Sequence, residues 1–286
     1  MARVTEVYEA SSGPVALCDC TPPRSADPSA LDAVGAVGAD FACVAYNPGK
    51  LPRADSVAAA LAIKSRTGTD VVFNLATRDM NKIAVQSRLL GAQMLGIENV
   101  VVLQGDGFTE AEAERVKAVN DYTPTALIAD AAAMNDGLDY RGSRLRGETS
   151  LCIGGTFDLA RDLDREVELT RRKVEAGAHF LIAQPIYDLR VRHAFLDAYE
   201  RSAGAPLKLP VFWGVQVLDK DGIVLGNVPP ETRQQLDDGR PGVDIAVEQL
   251  RSFLNDGVRG VYLVPPILRG GARDYEAARQ TLAAVR

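Results

Sequence analysis

Short, unbroken apolar runs recur along the chain, and each is followed by a longer segment of helical composition. We predict eight strands, which lie at residues 14–19, 41–45, 70–75, 99–106, 150–153, 179–184, 209–215 and 259–264. The fourth contains Val100-Val101-Val102-Leu103 and stops at Gly105-Asp106. Runs without polar alternation are typical of strands that are buried on both faces of a parallel sheet.

The segments between the strands predict helices at 27–37, 56–66, 79–95, 125–135, 162–176, 191–202, 243–255 and 275–285, with a further helix that begins at Pro230. An acidic segment at 109–119 and a polar loop at 136–148 lie between the fourth and fifth strands. Eight strand–helix units are the count of a (β/α)₈ barrel, the TIM barrel. A doubly wound sheet also alternates in this way, but Thr21-Pro22-Pro23, not a G-x-G-x-x-G turn, follows the first strand. No linker divides the chain, so we expect residues 1–286 to form a single-domain α/β barrel.

Composition and charge exclude several classes of protein. Hydrophobic residues make up 47% of the 286, which is enough for a large core. The net charge of −6 with interleaved signs forms no basic stripe and argues against a nucleic-acid partner. No apolar run approaches the roughly 20 residues of a membrane span, and the N-terminus lacks a signal pattern. We therefore expect a cytoplasmic protein with no membrane partner.

Cysteine and histidine offer little for metal or nucleophilic chemistry. Cys18, Cys20, Cys43 and Cys152 fall on the predicted strands without C-x-x-C spacing, so buried free thiols are favoured over disulfides or metal ligands. The chain has only two histidines. A histidine-based metal site or triad is therefore not expected, and acids and amides must carry the chemistry.

In a (β/α)₈ barrel the carboxyl ends of the strands form one rim, where side chains that are distant in sequence converge. The polar side chains that we expect there are Asp19, Asn47, Asn74, Gln104, Asp106, Gln184, Tyr187 and Arg269. Two carboxylates on one rim suit acid chemistry if burial keeps one of them protonated near neutral pH. The alternative is that Asp19 and Asp106 only cap helices, and that Gly105-Asp106 is an ordinary turn.

Two further polar residues lie inside predicted elements. Gln184 ends an apolar strand, where a buried amide recognises a heterocycle edge that offers both a donor and an acceptor, or pairs with backbone. Lys173 lies in a strongly charged helix, where a solvated salt-bridge face is the default interpretation.

Four short motifs lie at or beside the predicted strand ends. They are Asp19-x-x-Pro22-Pro23-Arg24 after the first strand, Leu103-x-Gly105-Asp106 after the fourth, Arg172-Lys173-x-x-x-Ala176-Gly177-Ala178 before the sixth and Gln184-x-x-x-Asp188 after it. Together they resemble the methylenetetrahydrofolate reductase family. Each motif is weak alone, but the four occur in order and span nearly the whole chain. The family fold is a (β/α)₈ barrel, which agrees with the strand count.

The resemblance implies reduction of the methylene bridge between two nitrogens of tetrahydrofolate to a methyl group. Ring opening needs a proton on the departing nitrogen and gives an iminium cation, which accepts hydride. The family's acid on the first strand is a Glu; Asp19 is one methylene shorter, so the substrate sits closer or a water relays the proton. Asp106 matches the carboxylate that stabilises the cation, and Gln184 matches a pterin-binding amide. Tyr187, Asn74 and Gln104 complete the expected folate-binding residues.

Several positions depart from the family's contacts with FAD. The family has Thr-Tyr-Gly after the second strand, a His after the third, Arg-Gly-Asp after the fourth, and a Tyr and a His after the fifth. In the same places this chain has Ala45-Tyr46-Asn47, Asn74, Gln104-Gly105-Asp106 and Gly155-Thr156-Phe157. Loss of a hydroxyl, an imidazole and a guanidinium weakens the binding of a dinucleotide pyrophosphate.

We therefore expect NADH or NADPH to pass hydride straight to the folate, without tightly bound FAD. The expected cofactor-binding residues are Tyr46, Asn47, Lys173 and Arg269. The turn Arg269-Gly270-Gly271 offers a cation and backbone amides to phosphates, or is a plain connection. An FAD-dependent reductase and a non-catalytic folate-binding barrel are the alternatives. A Schiff-base aldolase needs a rim lysine, and no predicted strand ends in one.

Overall fold

Eight parallel strands close into a barrel in chain order in the computed structural model, which describes all residues 1–286. The strands are β1 (Val15–Cys20), β2 (Phe41–Val44), β3 (Asp70–Ala76), β4 (Asn99–Leu103), β5 (Cys152–Phe157), β6 (Phe180–Pro185), β7 (Val211–Gln216) and β8 (Gly260–Val264). The last strand pairs with the first, with Cys18 opposite Leu263. The predicted (β/α)₈ barrel is confirmed.

Eleven α-helices accompany the strands. They are α1 (Val4–Ala10), α2 (Asp32–Gly35), α3 (Ser56–Thr67), α4 (Lys82–Met94), α5 (Glu110–Ala113), α6 (Pro124–Asn135), α7 (Leu163–Glu175), α8 (Leu189–Ala203), α9 (Pro230–Asp237), α10 (Gly242–Asn255) and α11 (Tyr275–Ala283). Side-chain caps that accept from first-turn N–H groups fix several of their starts. These caps are Asp55, Asn81, Thr123, Asp162, Asp188 and Asp274. No helix has the length and apolar character needed to cross a membrane.

The strand prediction was wrong for the end of β5. The Gly154-Gly155-Thr156 segment, which we expected to be a connection, belongs to the strand. Gly154 has no side chain because the ring of Phe180 fills that space: a Cβ there would lie 2.5 Å from Phe180 Cζ. The glycine therefore marks close packing inside the barrel, which a local reading of the sequence takes for a turn.

One helical prediction differs from the structure, and two short helices were not predicted. The helix expected at 27–37 is a short 3₁₀ turn, Pro28–Leu31, followed by the single turn of α2. The acidic segment at 109–119 contains the one-turn helix α5. Helix α1 was not predicted, although Val4, Val7 and Tyr8 have helical spacing.

The barrel is filled by side chains and closed at its lower end. Inward-facing residues form one buried cluster, which includes Leu17, Phe41, Val72, Phe180 and Phe212. Two larger clusters lie between the strands and the helices. The interior of the barrel is therefore filled with apolar side chains, and the four cysteines are buried and unpaired.

Helix α1 covers the end of the barrel opposite the mouth. Val4 is fully buried, and its N–H donates to the Asn99 side-chain oxygen at 3.0 Å. The amide nitrogen of Asn99 donates to the carbonyls of Ala2 and Val71, at 2.9 and 3.1 Å. Asn99, at the start of β4, therefore ties the N-terminal segment to two strands.

Candidate functional site

Inward-facing side chains near the carboxyl ends of the strands form the floor of the mouth. Alternation along each strand places them directly above the packed interior. They are Asp19 on β1, Cys43 on β2, Asn74 on β3, Thr156 on β5, Gln184 on β6, Gln216 on β7 and Tyr262 on β8. A carboxylate, a thiol, three amides, a phenol and a hydroxyl thus share one surface.

Asp19 is held on both oxygens. It is 5% exposed, and its Oδ1 accepts a hydrogen bond from the Tyr262 hydroxyl at 2.8 Å. Arg273, in the loop between β8 and α11, places Nε and Nη2 each 2.8 Å from Oδ2. Asp19 does not cap a helix, because Asp27 caps the next helical turn. The helix-cap interpretation of Asp19 is therefore wrong.

The partners of Asp19 are electrostatically matched to a carboxylate. Burial lowers the pKa of Arg273, but the charge of Asp19 and its hydrogen bonds outweigh burial, and the pKa is raised. Burial raises the pKa of Tyr262 well above its ordinary value, and the charge of Asp19 adds to this effect. Tyr262 therefore remains a phenol and donates to Asp19. Such charge-assisted bonds favour an anionic acceptor over a proton donor.

Asn74 lies in the same part of the mouth as Asp19. Asp19 is opposite Cys43 in the β1–β2 register, and the Cys43 thiol donates to Asn74 Oδ1 at 3.5 Å. The Asn74 amide nitrogen has no protein partner. Two predicted residues are thus brought together through Cys43, and the Asn74 N–H groups remain available to a ligand.

Two glutamines on neighbouring strands differ in their bonding. Gln184 is partly buried, and its side-chain amide makes no hydrogen bond within the protein. Gln216 is 2% exposed; its Nε2 donates to the Ile223 carbonyl at 2.8 Å, and its Oε1 accepts from the Leu225 N–H at 2.8 Å. Gln184 is therefore free to bind a ligand, whereas Gln216 holds the β7–α9 loop.

Tyr187 belongs to the same loop attachment. Its hydroxyl lies 2.9 Å from the Leu225 carbonyl and 3.3 Å from Gln216 Oε1. Burial raises the pKa of Tyr187, which keeps it a neutral donor. The phenol hydroxyl is thus already bonded within the protein.

The β4–α5 loop carries Gln104 and Asp106 over the rim. Both side chains are exposed and make no hydrogen bonds within the protein. Gly105 has φ = 83°, a left-handed conformation that favours glycine. The predicted turn is therefore present, but Asp106 does not cap a helix, because Thr109 caps α5.

Arg78, which follows β3, supports that loop from below and was missed in the sequence. It is 5% exposed, and its Nη1 donates to the Asp106 carbonyl at 2.8 Å. Its other nitrogens bond the Asp79 carboxylate at 2.6 and 2.8 Å, and its guanidinium lies 4.5 Å from the Phe108 ring centroid. The sequence feature that could have identified Arg78 is its position two residues after the end of the apolar strand β3.

The predicted cofactor residues Tyr46 and Asn47 follow β2. Tyr46 is half-buried, with the Arg88 guanidinium 5.8 Å from its ring centroid. Asn47 is left-handed, with φ = 40°, and its Oδ1 accepts from the Arg53 N–H at 3.2 Å. Asn47 thus shapes the β2–α3 loop, and its amide nitrogen is not engaged.

Lys173 and Arg269, the other two predicted cofactor residues, are each bonded to another part of the protein. Lys173 is 7% exposed and lies between β5 and α7, where its Nζ donates to the Thr156 carbonyl at 2.5 Å. The expected solvated position is therefore wrong, and burial lowers the pKa of Lys173. Arg269 is 80% exposed and forms an ion pair with Asp221 at 2.9 Å.

The fold and the mouth define a (β/α)₈-barrel protein with acidic and amide side chains arranged for a small polar ligand. The methylenetetrahydrofolate reductase family model matches residues 18–220, and the chain belongs to this family. The resemblance inferred from the four motifs is confirmed. No curated protein matches the chain.

Two solved structures are similar to this one. An uncharacterised protein from Clostridium thermocellum, which binds two copies of 5-methyl-5,6,7,8-tetrahydrofolic acid, is 10% identical, with a TM-score of 0.64 over 98% of this chain and 96% of its own. DmoA from Hyphomicrobium sulfonivorans is 9% identical, with a TM-score of 0.53 over 89% of this chain and 84% of its own. At these identities the similarity concerns the fold.

Proposed function

We propose that this protein reduces 5,10-methylenetetrahydrofolate to 5-methyltetrahydrofolate with NADH or NADPH. Family membership supports a folate substrate, as does the Clostridium thermocellum protein that binds a methylated folate. The observation that carries the proposal is the free side chain of Gln184 at the end of β6. Its amide offers one acceptor and two donors, which complement a pterin edge.

The proposed reaction breaks the bond between the methylene carbon and the departing nitrogen. That nitrogen takes a proton, and hydride from the nicotinamide forms the third C–H bond of the methyl group. Asp106, whose carboxylate is exposed above the rim, would stabilise the iminium cation. Asn74 and Gln104 would donate to or accept from the folate, and the ring of Tyr187 would border it.

We assign the proton transfer to Asp19, with one condition that its contacts impose. A carboxylate that accepts from Tyr262 and Arg273 has no proton to give. Donation therefore requires the Arg273 pair to open when the ligand enters. Arg273 is a loop residue, which allows such a movement without displacing a strand.

We further propose that no flavin is tightly bound. The structure presents the methyl group of Ala45, an Asn74 oxygen already engaged by Cys43, and the exposed amide of Gln104 at the family's flavin positions. Lys173 is occupied by a backbone carbonyl. This set does not fit a tightly held flavin pyrophosphate. If each lost contact is worth about 1 kcal/mol, three together weaken binding by roughly 10²-fold.

The test is an absorbance spectrum of the purified protein followed by a rate measurement. We expect colourless protein that oxidises NADH or NADPH with methylenetetrahydrofolate, without added FAD and with sequential kinetics. A yellow protein, or strict dependence on added FAD, would identify a flavin enzyme. Folate binding without turnover under either condition would identify a non-catalytic barrel.

A further inference from the structure

Three guanidinium groups gather at one corner of the mouth. Arg24 follows β1, Arg53 follows β2 and Arg273 follows β8, and these strands are neighbours in the closed barrel. Arg273 is paired with Asp19, whereas Arg24 and Arg53 have no carboxylate partner. The corner therefore has an excess of positive charge in a protein whose net charge is −6.

Arg53 is held in place but incompletely bonded. Its Nη1 donates to the Pro22 carbonyl at 3.0 Å, and Asn47 fixes its backbone N–H. Its Nε is buried and has no hydrogen-bond partner. Its Nη2 lies against the β8–α11 loop, 3.2 Å from where a Cβ on Gly271 would be. Buried N–H groups without partners are rare in native proteins and destabilise them.

A second unpartnered group lies in the same corner. The hydroxyl of Thr21, at the end of β1, is buried without a hydrogen-bond partner, although the backbone N–H of Thr21 is bonded to the Tyr275 hydroxyl. A guanidinium N–H donor and a hydroxyl donor are thus both unsatisfied, and their common complement is an oxygen that accepts hydrogen bonds.

The charges reinforce this requirement. The pKa of Arg53 is lowered, first by burial and then by the positive charges of Arg24 and Arg273. An anion placed among the three groups would remove that repulsion, and guanidinium groups bind carboxylate or phosphate oxygens in a fork geometry.

We infer that Arg24, Arg53 and Arg273, with the Thr21 hydroxyl, form an oxyanion subsite for the charged tail of the ligand whose heterocycle occupies the mouth. The shared chemistry is a carboxylate or phosphate group, and the proposed function supplies two carriers. One is the glutamate tail of the folate, and the other is the pyrophosphate of the nicotinamide dinucleotide. The identity of the carrier rests on the proposed function, whereas the anion site itself does not.

Calorimetric titration with two small anions tests the site without any turnover. The probes are inorganic pyrophosphate and γ-glutamylglutamate, and the variants are Arg53→Gln and Arg24→Gln, of which Arg24 is exposed. Arg146→Gln, an exposed arginine without an ion pair in the α6–β5 loop at the other end of the barrel, is the matched control. We expect wild type to bind at least one probe, each cluster variant to bind it about tenfold or more weakly, and the control to match wild type. Absence of binding at millimolar concentration, or equal binding by wild type and both cluster variants, would overturn the inference.

Titration with whole ligands then separates the two carriers. Tetrahydropteroate, which lacks glutamate, is compared with tetrahydrofolate and its triglutamate, and reduced nicotinamide riboside, which lacks phosphate, is compared with NADH. If Arg53→Gln loses affinity only for the glutamylated folates, the anion bound at the subsite is a carboxylate of the glutamate tail. If it loses affinity only for NADH, the anion is the pyrophosphate. Equal losses for ligands with and without a tail would contradict the subsite. Anion binding without reductase activity would overturn the proposed function and leave the subsite standing.

Discussion

At neighbouring strand ends, Gln184 and Gln216 show how the bonding of a residue decides its role. Both are amides that face the mouth, and both follow apolar strands. The side chain of Gln216 is hydrogen-bonded to the backbone of Ile223 and Leu225, whereas that of Gln184 makes no hydrogen bond within the protein. The two residues are therefore a matched pair for separating ligand binding from stability.

We expect Gln184→Ala to weaken folate binding by about 1–3 kcal/mol, because polar groups of the ligand lose their partner. Its free energy of unfolding and its affinity for NADH should stay close to wild type. Gln216→Ala should instead lower the free energy of unfolding by about 1–3 kcal/mol, because two part-buried hydrogen bonds to the backbone of Ile223 and Leu225 are lost. Calorimetry and urea denaturation measure the two effects, and unchanged folate affinity in Gln184→Ala would remove that residue from the site.

Asp19 is the residue on which the proposed chemistry depends most. Asp19→Asn keeps the shape of the side chain but cannot exchange a proton, so we expect the rate of methylenetetrahydrofolate reduction to fall by roughly 10²-fold or more. The circular dichroism spectrum and folate affinity check that the barrel survives. Tyr262→Phe is the companion variant, because it removes one hydrogen bond to Asp19 and retains Arg273. Asp19→Asn activity within a few-fold of wild type would remove Asp19 from the mechanism.

The residues that surround Asp19 show where sequence reasoning stops. Asp19 itself was found because it ends an apolar run at a predicted rim. Arg273 and Arg53 lie in loops, and no periodic pattern indicates that their side chains turn back towards β1. Only the closed barrel brings the β8–α11 loop beside the first strand, so local pattern could not predict these contacts.

Among the elements, β5 and β6 are joined at their lower ends by a histidine. The His179 N–H donates to the Ile153 carbonyl at 2.7 Å, and the Ile153 N–H donates to His179 Nδ1 at 2.9 Å. The second bond needs an unprotonated Nδ1. Burial lowers the pKa of His179 below its ordinary 6.5, and Arg3 adds to this effect.

The pH dependence of stability follows from that lowered pKa. Above about pH 6.5 the His179 imidazole is neutral in both the folded and the unfolded state, so its hydrogen bond with the Ile153 N–H contributes fully to the free energy of unfolding. As pH falls from there through the lower folded pKa, the unfolded state binds a proton first, so the free energy of unfolding decreases, by less than about 1.4 kcal/mol per pH unit. Urea denaturation at several pH values between about 8 and 5.5 measures this decrease in the free energy of unfolding. His179→Gln should flatten the profile, and a profile that is unchanged in His179→Gln would contradict this prediction.

Strand positions were predictable from sequence because burial on both faces demands continuous apolar runs. The prediction failed where a residue serves a distant partner. Gly154 and Gly155 have the composition of a turn, yet they are strand residues that make room for Phe180 and Lys173. Lys173 has the neighbours of a solvated residue, yet its ammonium is buried against β5. In both cases tertiary packing overrides the local pattern.

At the scale of the whole molecule, eight repeats without a linker were enough to predict the barrel. The order of strands round the barrel then followed from the chain order, and so did the common rim. The repeats do not indicate which side of the rim carries charged side chains and which side carries amides. The seam between β1 and β8 holds the buried Asp19–Arg273 ion pair, whereas the β6–β7 side holds Gln184, Gln216 and the loop that Gln216 binds.

The seam between β1 and β8 also sets the order in which the molecule can be completed during synthesis. The bonds from Tyr262 and Arg273 to Asp19 join residues 243 and 254 positions apart. At roughly 5–20 residues per second, the ribosome makes Arg273 about 10–50 s after Asp19. Throughout that time β1 is an unpaired sheet edge and its carboxylate has no counter-charge, so the nascent chain exposes a surface that invites aggregation. Asp19, Tyr262 and Arg273 are thus among the last residues of the mouth to meet, and a chain released before β8 has every rim amide but lacks both partners of Asp19.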